Sequence, residues 1–364
     1  MASIIAPSYD GKGLVNLIAH IEGQATGTAR APGLDSSLAS LMPSRRTTVL
    51  VLFDGLGSRQ LDHPKGRRLA AAHVGDIDAP FPTTTTVSLA TVATGVPPVG
   101  HGLIAYQLWI PQVGEVVNTI HMTTMWGGAI DQDHRSFLPR PNLWERMSSV
   151  GVEPVTIQPD HFDRTPLTLA LYRGASFVPY GSLDDAADRT IEAASVPQRL
   201  VFLYVPHIDF AAHVSGQDSE AYTVAVEAVD ALWGRLMTEL PSDVALIATA
   251  DHGHIDIDEA HKVRLTPAQH EGRILYGDAR ALFVKGDGAS LARDLPAEWV
   301  PYEEITALWG PGPRHETFEE RRPDGVVFAH DGYAIFHRRS NDRLVGHHGG
   351  LSDPERAVPL LIRR

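Results

Sequence analysis

Three short apolar runs, each followed by a carboxylate, constrain this chain more than any other feature. Thr47-Thr48-Val49-Leu50-Val51-Leu52-Phe53 ends at Asp54-Gly55. Arg199-Leu200-Val201-Phe202-Leu203-Tyr204-Val205 leads to His207 and Asp209. Asp243-Val244-Ala245-Leu246-Ile247-Ala248-Thr249-Ala250 ends at Asp251-His252-Gly253. Continuous runs of this length, rich in β-branched residues, suit strands buried on both faces, as in a parallel sheet. Helical patterns lie between them. Over 221–240, Ala225, Val229, Leu232, Leu236 and Leu240 share one face, and Pro241 follows. The pattern predicts an α/β fold, a mostly parallel central sheet covered by helices on both faces. Ligand sites in such sheets lie at the carboxyl ends of the strands, so the three acidic clusters are expected to meet there.

The length of 364 residues allows one large α/β domain with an insertion, or two modest domains. Two stretches read as insertions: 106–140, rich in Gly, Thr, His and Trp, and 254–345, with a Pro/Gly-rich segment at 310–325. The expected division is a catalytic core of 1–253 and 346–364 with an inserted cap-like region at 254–345.

Composition limits the chemistry. The chain has no cysteine, which excludes disulfides and thiolate metal sites, so any metal must be held by His, Asp and Glu. The net charge of −13 argues against broad binding to a nucleic-acid polymer. It leaves room for a small phosphate substrate, because bound metal ions invert the local field. No apolar run approaches the roughly 20 residues needed to span a bilayer, so no membrane partner is expected. The N-terminal residues lack the basic start and long apolar stretch of a signal peptide, and a cytoplasmic location is expected. The sequence assigns no oligomeric state.

Asp209 and His213 are four apart, which on a helix puts both on one face, as two ligands of one ion require. Asp251 and His252 are adjacent and can converge only on a tight loop, which Gly253 permits. Gly346-His347-His348-Gly349-Gly350 offers further histidine in a flexible frame. A nucleophile is expected in Phe81-Pro82-Thr83-Thr84-Thr85-Thr86-Val87-Ser88-Leu89-Ala90-Thr91-Val92-Ala93-Thr94-Gly95. Pro82 disfavours helix before it and the following run can form one. A threonine at a helix N-terminus faces unpaired N–H groups that favour both an alkoxide and a phosphate oxygen. The residues alone leave open which of Thr83, Thr84, Thr85 and Thr86 acts.

The whole pattern resembles the alkaline-phosphatase superfamily, and within it the nucleotide pyrophosphatase/phosphodiesterase branch. The landmarks are Asp54-Gly55, Phe-Pro-Thr-x-Thr with Thr-Gly ten residues on, Gly100-His101-Gly102, Asp209-x-x-x-His213, Ala250-Asp251-His252-Gly253 and His348-Gly349, in the family's order from residue 49 to 360. The resemblance implies an alkaline-phosphatase-like core and two divalent ions, with zinc favoured over manganese for an N/O donor set. It implies that Asp54, Thr85, Asp251 and His252 hold the ion that activates Thr85 as nucleophile. Asp209, His213 and His348 would hold the other, which binds the attacking water in the second step. The expected activity is hydrolysis of a phosphodiester or nucleotide pyrophosphate through a phospho-threonine intermediate. His101 matches a position with no metal role.

One departure bears on the substrate. The branch has asparagine where this chain has Ser88, so Ser88 is expected at the phosphoryl-oxygen contact, with a shorter reach. The tail His348-Gly349-Gly350-Leu351-Ser352 also resembles phosphonoacetate hydrolases. Competing readings are therefore a C–P hydrolase or phosphomonoesterase on the same metal site, a phosphomutase, or a metal-stabilised binding module without turnover. The sulfatase motif is absent. A diesterase needs an apolar or aromatic slot beside the metals. A monoesterase or phosphonatase needs Lys or Arg. Candidates for that wall are Trp109, Trp126, His134, Arg135, Lys262, Arg264 and Arg273.

Overall fold

The computed structural model describes residues 4–131, 133–338 and 340–363. The three apolar runs become adjacent strands. Thr47–Phe53 lies at the centre of a seven-stranded sheet, paired in parallel with Arg199–Val205 on one side and Val244–Thr249 on the other. Glu153–Pro159 and Ser176–Tyr180 extend the first side in parallel. On the second side Ala357–Ile362 runs antiparallel to Val244–Thr249, and His73–Asp78 closes the edge. One reversed strand in seven gives the mostly parallel sheet that the sequence predicts.

Burial explains the continuous apolar runs. Val49, Val51, Leu52 and Phe53 are fully buried, because the central strand is covered on both faces. The helix Glu220–Glu239 starts at Ser219, whose hydroxyl accepts the Tyr222 N–H at 3.1 Å, and it buries Val226, Val229, Leu232, Trp233 and Leu236. Val226 takes the inward position expected for Ala225. Among the described residues no helix is long and apolar enough to cross a membrane.

A second seven-stranded sheet is antiparallel and draws on two distant parts of the chain. Its order is Ala297–Pro301, Gly325–Ala329, Ala281–Lys285, Ile274–Gly277, Gln107–Ile110, Glu115–Asn118 and Thr123–Thr124. The join is the Gly277–Gln107 pairing. Both insertion-like stretches of the sequence thus contribute to one sheet.

Candidate metal centre and substrate cavity

The three central parallel strands end side by side. Phe53 pairs with Val205 and Leu52 with Thr249, so the chain leaves the sheet at Asp54, Pro206 and Ala250 at nearly one level. Backbone bonds tie the turns together. The Asp209 N–H donates to the Asp54 carbonyl at 3.1 Å, and the Gly55 N–H donates to Asp251 Oδ1 at 3.1 Å. Gly55 has a φ of +75°, and a Cβ there would lie 2.9 Å from both Asp209 Cα and the His254 ring. Only glycine fits this turn without displacing those neighbours.

The first donor set is Asp54, Asp251 and His252, with Thr85 beside it. His252 Nε2 lies 3.5 Å from Asp54 Oδ1, 3.6 Å from Asp251 Oδ2 and 3.2 Å from Thr85 Oγ1. Asp54 Oδ1 and Asp251 Oδ2 are sealed from solvent and have no hydrogen-bond partner. Such orphaned acceptors cost about 1–3 kcal/mol each. A tetrahedral zinc with bonds of about 2.0–2.1 Å needs neighbouring donors about 3.3 Å apart, so these atoms have a metal's spacing. The Tyr204 hydroxyl donates to the other oxygen of Asp54, and His252 Nδ1 faces the Gly253 carbonyl at 3.2 Å. Both contacts aim the orphaned atoms inward.

The second set is Asp209, His213 and His348. His213 Nε2 lies 3.2 Å from His348 Nε2 and 3.4 Å from Asp209 Oδ1, and His348 Nε2 lies 4.0 Å from the same oxygen. The helix His207–Ser215 supplies the first two. The far ring nitrogens are anchored, His213 Nδ1 on the Gly346 carbonyl at 2.7 Å and His348 Nδ1 on the Thr83 carbonyl at 2.8 Å. An imidazole that donates from Nδ1 presents the Nε2 lone pair to a cation.

The electrostatics ask for positive charge. Burial, then Asp209 and Asp251, raise the Asp54 carboxyl well above the usual carboxylate range. At Asp209 burial acts in the same direction, but His213 and His254 outweigh it and hold the carboxyl well below that range. Burial, with His252 and His213, pushes His348 far down. Among the described residues no lysine or arginine pairs with Asp54, Asp209 or Asp251; their ionic contacts are to histidine. Two divalent cations would supply the missing charge, and the donors, all nitrogen and oxygen, suit zinc or manganese.

The four consecutive threonines separate by contact. Thr83 Oγ1 donates to the Gly350 carbonyl and accepts the Gly349 N–H. The Thr84 hydroxyl donates to Asp278 Oδ1 at 3.4 Å, and Thr86 accepts from Thr119 at 3.2 Å. Thr85 turns toward His252, at the first residue of the helix Thr85–Thr94. Ser88 is placed away from the expected phosphoryl contact. It is fully buried, donates to the Asp251 carbonyl at 2.8 Å and does not line the cavity. Its side chain braces the Asp251 turn, one helical turn on from Thr85. His101 stands apart from both donor sets, bonded to Thr91 at 3.1 Å and to the Leu103 N–H at 3.2 Å.

His254 belongs to the centre and escaped the sequence reading. Its Nε2 donates to Asp209 Oδ1 at 2.8 Å, and its ring packs against those of His213, His252 and His348. With Asp209 and His252 it forms a third converging set. The available signal was the His-Gly-His spacing, since residues two apart in extended chain share a side.

A cavity of about 280 Å³ opens over the second donor set. Asp209, His213, His348 and Thr84, Thr85 and Thr86 form its floor. Tyr106, Ile120, Asp278, Phe336, Asn341 and Leu344 stand in its wall. None of the seven wall candidates named from sequence lines it. Trp109 and Arg273 face a separate groove, and Arg135 another. Lys262 donates to the Asp342 carbonyl at 3.1 Å, and Arg264 is paired with Asp342 and Glu259. Their side-chain chemistry suits a substrate wall, but the cavity is lined by segments that only long-range packing brings together.

Comparison with known proteins agrees with the fold. A family model described as type I phosphodiesterase / nucleotide pyrophosphatase matches residues 48–351. An uncharacterized pyrophosphatase/phosphodiesterase of Schizosaccharomyces pombe is 23% identical over 253 residues, 64% of this chain and 48% of that protein. The chain thus spans about half the length of that relative. Human ectonucleotide pyrophosphatase/phosphodiesterase family member 5 is 23% identical over 342 residues, 86% of this chain and 68% of that one. Among solved structures, murine ectonucleotide pyrophosphatase/phosphodiesterase 5 aligns with a TM-score of 0.67 at 21% identity, covering 86% of this chain and 87% of that one. An inactive form of the murine protein is solved in complex with AMP. Phosphonoacetate hydrolase from Sinorhizobium meliloti 1021, in complex with phosphonoacetate, aligns with a TM-score of 0.64 at 16% identity, covering 89% and 91%.

Proposed function

Because the chain belongs to the type I phosphodiesterase / nucleotide pyrophosphatase family, we propose that it hydrolyses phosphodiesters or nucleotide pyrophosphates with Thr85 as nucleophile and two divalent ions. Asp54, Thr85, Asp251 and His252 hold one ion, and Asp209, His213 and His348 hold the other. When bound, the ions acidify the Thr85 hydroxyl and neutralise charge on the phosphoryl oxygens and the leaving oxygen.

The chain's own residues do the rest. Thr85 Oγ1, its proton lost to solvent, attacks phosphorus and the leaving alkoxide or phosphate departs on the opposite side, giving a phospho-threonine that keeps the second ester group. The Thr85 and Thr86 amides precede the first backbone bonds of Thr85–Thr94, those of Val87 and Ser88 to the Thr84 carbonyl, and would serve the transferred group. Asp209, His213 and His348 flank the approach of the water that releases the phosphomonoester from Thr85. Segments 107–124 and 254–345 act together as the cap, walling the cavity against bulk water.

The observation that favours a diester is the wall. Among the described residues lining the cavity there is no lysine or arginine, while Tyr106, Ile120, Phe336 and Leu344 offer aromatic and apolar surface. A dianionic monoester or a phosphonate bearing a carboxylate would need cationic partners there. The AMP complex of the murine relative supports a nucleoside as the group that such a slot would hold.

The test is parallel hydrolysis of bis-p-nitrophenyl phosphate, p-nitrophenyl phosphate and phosphonoacetate by zinc- and manganese-loaded protein. Preference for the diester, abolished by chelation, is expected. Preference for phosphonoacetate would move the activity to C–P cleavage on the same donors.

A further inference from the structure

We propose that Asp278 is a charge filter of the substrate cavity, one that disfavours substrates carrying a second negative charge on the phosphoryl group. The inference rests on the phosphoester-hydrolase reading above and adds a specificity-determining residue to it.

Asp278 occupies the turn between Ile274–Gly277 and Ala281–Lys285, closed by the Asp278–Ala281 backbone bonds. That turn stands directly over the reaction floor. Asp278 lines the cavity that also contains Thr85, His213 and His348. Its Oδ1 accepts from Thr84, the residue before the nucleophile, at 3.4 Å. Its Cβ crowds Gly349, where an added Cβ would approach to 2.5 Å, so Asp278 also abuts the residue following His348. The carboxyl is wedged between the nucleophile's helix and the loop of the second donor set.

Its charge has no local compensation. Oδ2 is sealed from solvent and has no hydrogen-bond partner, and no lysine or arginine pairs with either oxygen among the described residues. Arg280, two residues on, is committed elsewhere, to Glu355 and to the His330 and Tyr333 carbonyls. Burial is the main force raising the Asp278 carboxyl to about 7, with Glu355 adding and the Thr84 hydroxyl and Tyr106 amide opposing. Above that pH the group is a carboxylate in a poorly solvated wall, where its field is weakly screened. A monoanionic diester presents one charge, which cations held by Asp54, Asp251, His252, Asp209, His213 and His348 would neutralise. A dianion brings an additional oxygen charge toward the same wall, and like charges so juxtaposed are a standard means of rejecting a wrong ligand.

The test uses p-nitrophenyl phosphate and p-nitrophenyl methylphosphonate, which share a leaving group and differ by one charge on phosphorus. The readout is the ratio of their kcat/KM values at about pH 8.5, above the Asp278 value, in the full metal-loaded protein. Asp278→Asn keeps an acceptor for Thr84 and removes the charge, so the dianion-to-monoanion ratio is expected to rise about tenfold. Asp278→Glu keeps the charge and should stay close to the wild-type ratio. An unchanged ratio in Asp278→Asn, or equal losses on both substrates, overturns the filter. The diester reading is judged separately, by whether wild-type protein prefers bis-p-nitrophenyl phosphate to p-nitrophenyl phosphate.

Discussion

The Thr85 hydroxyl lies 3.2 Å from His252 Nε2, while each of its threonine neighbours bonds elsewhere. Thr85→Ala should therefore lower kcat/KM by on the order of a thousandfold or more. Asp54, Asp251 and His252 remain to hold an ion, so metal analysis of the purified variant should still find two per chain. Full activity in Thr85→Ala would remove it as nucleophile.

Asp251 offers one oxygen to the Gly55 and His252 amides and leaves the other orphaned toward the first donor set. Asp251→Asn can keep the amide contacts through its carbonyl oxygen while losing the anionic donor. The expected result is loss of one metal equivalent and of turnover. Two equivalents retained after gel filtration would exclude Asp251 from the ligand set.

His254 holds Asp209 Oδ1 at 2.8 Å and should act by orienting that carboxylate. His254→Ala is expected to weaken one of the two metals by about 10- to 100-fold, read by competition with a chromogenic chelator. Unaltered affinity at both sites would make His254 a packing residue only.

His101 couples stability to acid. Burial above all, with His315 and Arg321, pushes its pKa from 6.5 down to about 3. Between those values the unfolded chain binds a proton that the native protein does not, so stability falls as pH falls through that window. The slope is at most about 1.4 kcal/mol per pH unit. In His101→Gln the stability lost between pH 7 and pH 5, measured by urea unfolding, should shrink by about 1–2 kcal/mol. An identical loss in both proteins would count against a buried neutral imidazole.

Arg280 and Glu355 form a fully buried pair at 3.3 Å, with Glu355 also accepting from the Gly350 N–H at 2.8 Å and the Ser352 hydroxyl at 2.6 Å. Arg280→Met strands the Glu355 charge and should cost about 3–5 kcal/mol in unfolding free energy. A change under about 1 kcal/mol would mean that the pair is dispensable.

The sheet and most of the converging Asp and His side chains are legible because they obey local rules. A strand buried on both faces must be apolar throughout, so Val49–Phe53 and Val201–Val205 announced themselves, and Asp54, Asp209 and Asp251 followed at their ends. The D-x-x-x-H spacing put Asp209 and His213 on one helical face. The wall obeyed no such rule. Tyr106 and Ile120 meet Asp278 only through the Gly277–Gln107 join between two distant hairpin regions, and Phe336 arrives on a further strand, Ala334–Phe336, paired with Lys262–Arg264. The Ser88 contact was illegible for a related reason. Position in a motif does not say on which side of a helix a short hydroxyl finds its partner, and here it found the Asp251 carbonyl.

The converging Asp and His side chains stand on the ends of parallel strands and their loops, whereas Tyr106, Ile120 and Asp278 of the wall come from antiparallel hairpin regions that carry none of them. The two inherit change separately. Tyr106 and Ile120 can be exchanged without altering either cluster or Thr85, whereas Asp278 bonds Thr84 and crowds Gly349. A scaffold built this way can acquire a new substrate by drift in its hairpins while its reaction stays the same, and directed libraries confined to those hairpins should recover altered selectivity far more often than lost chemistry.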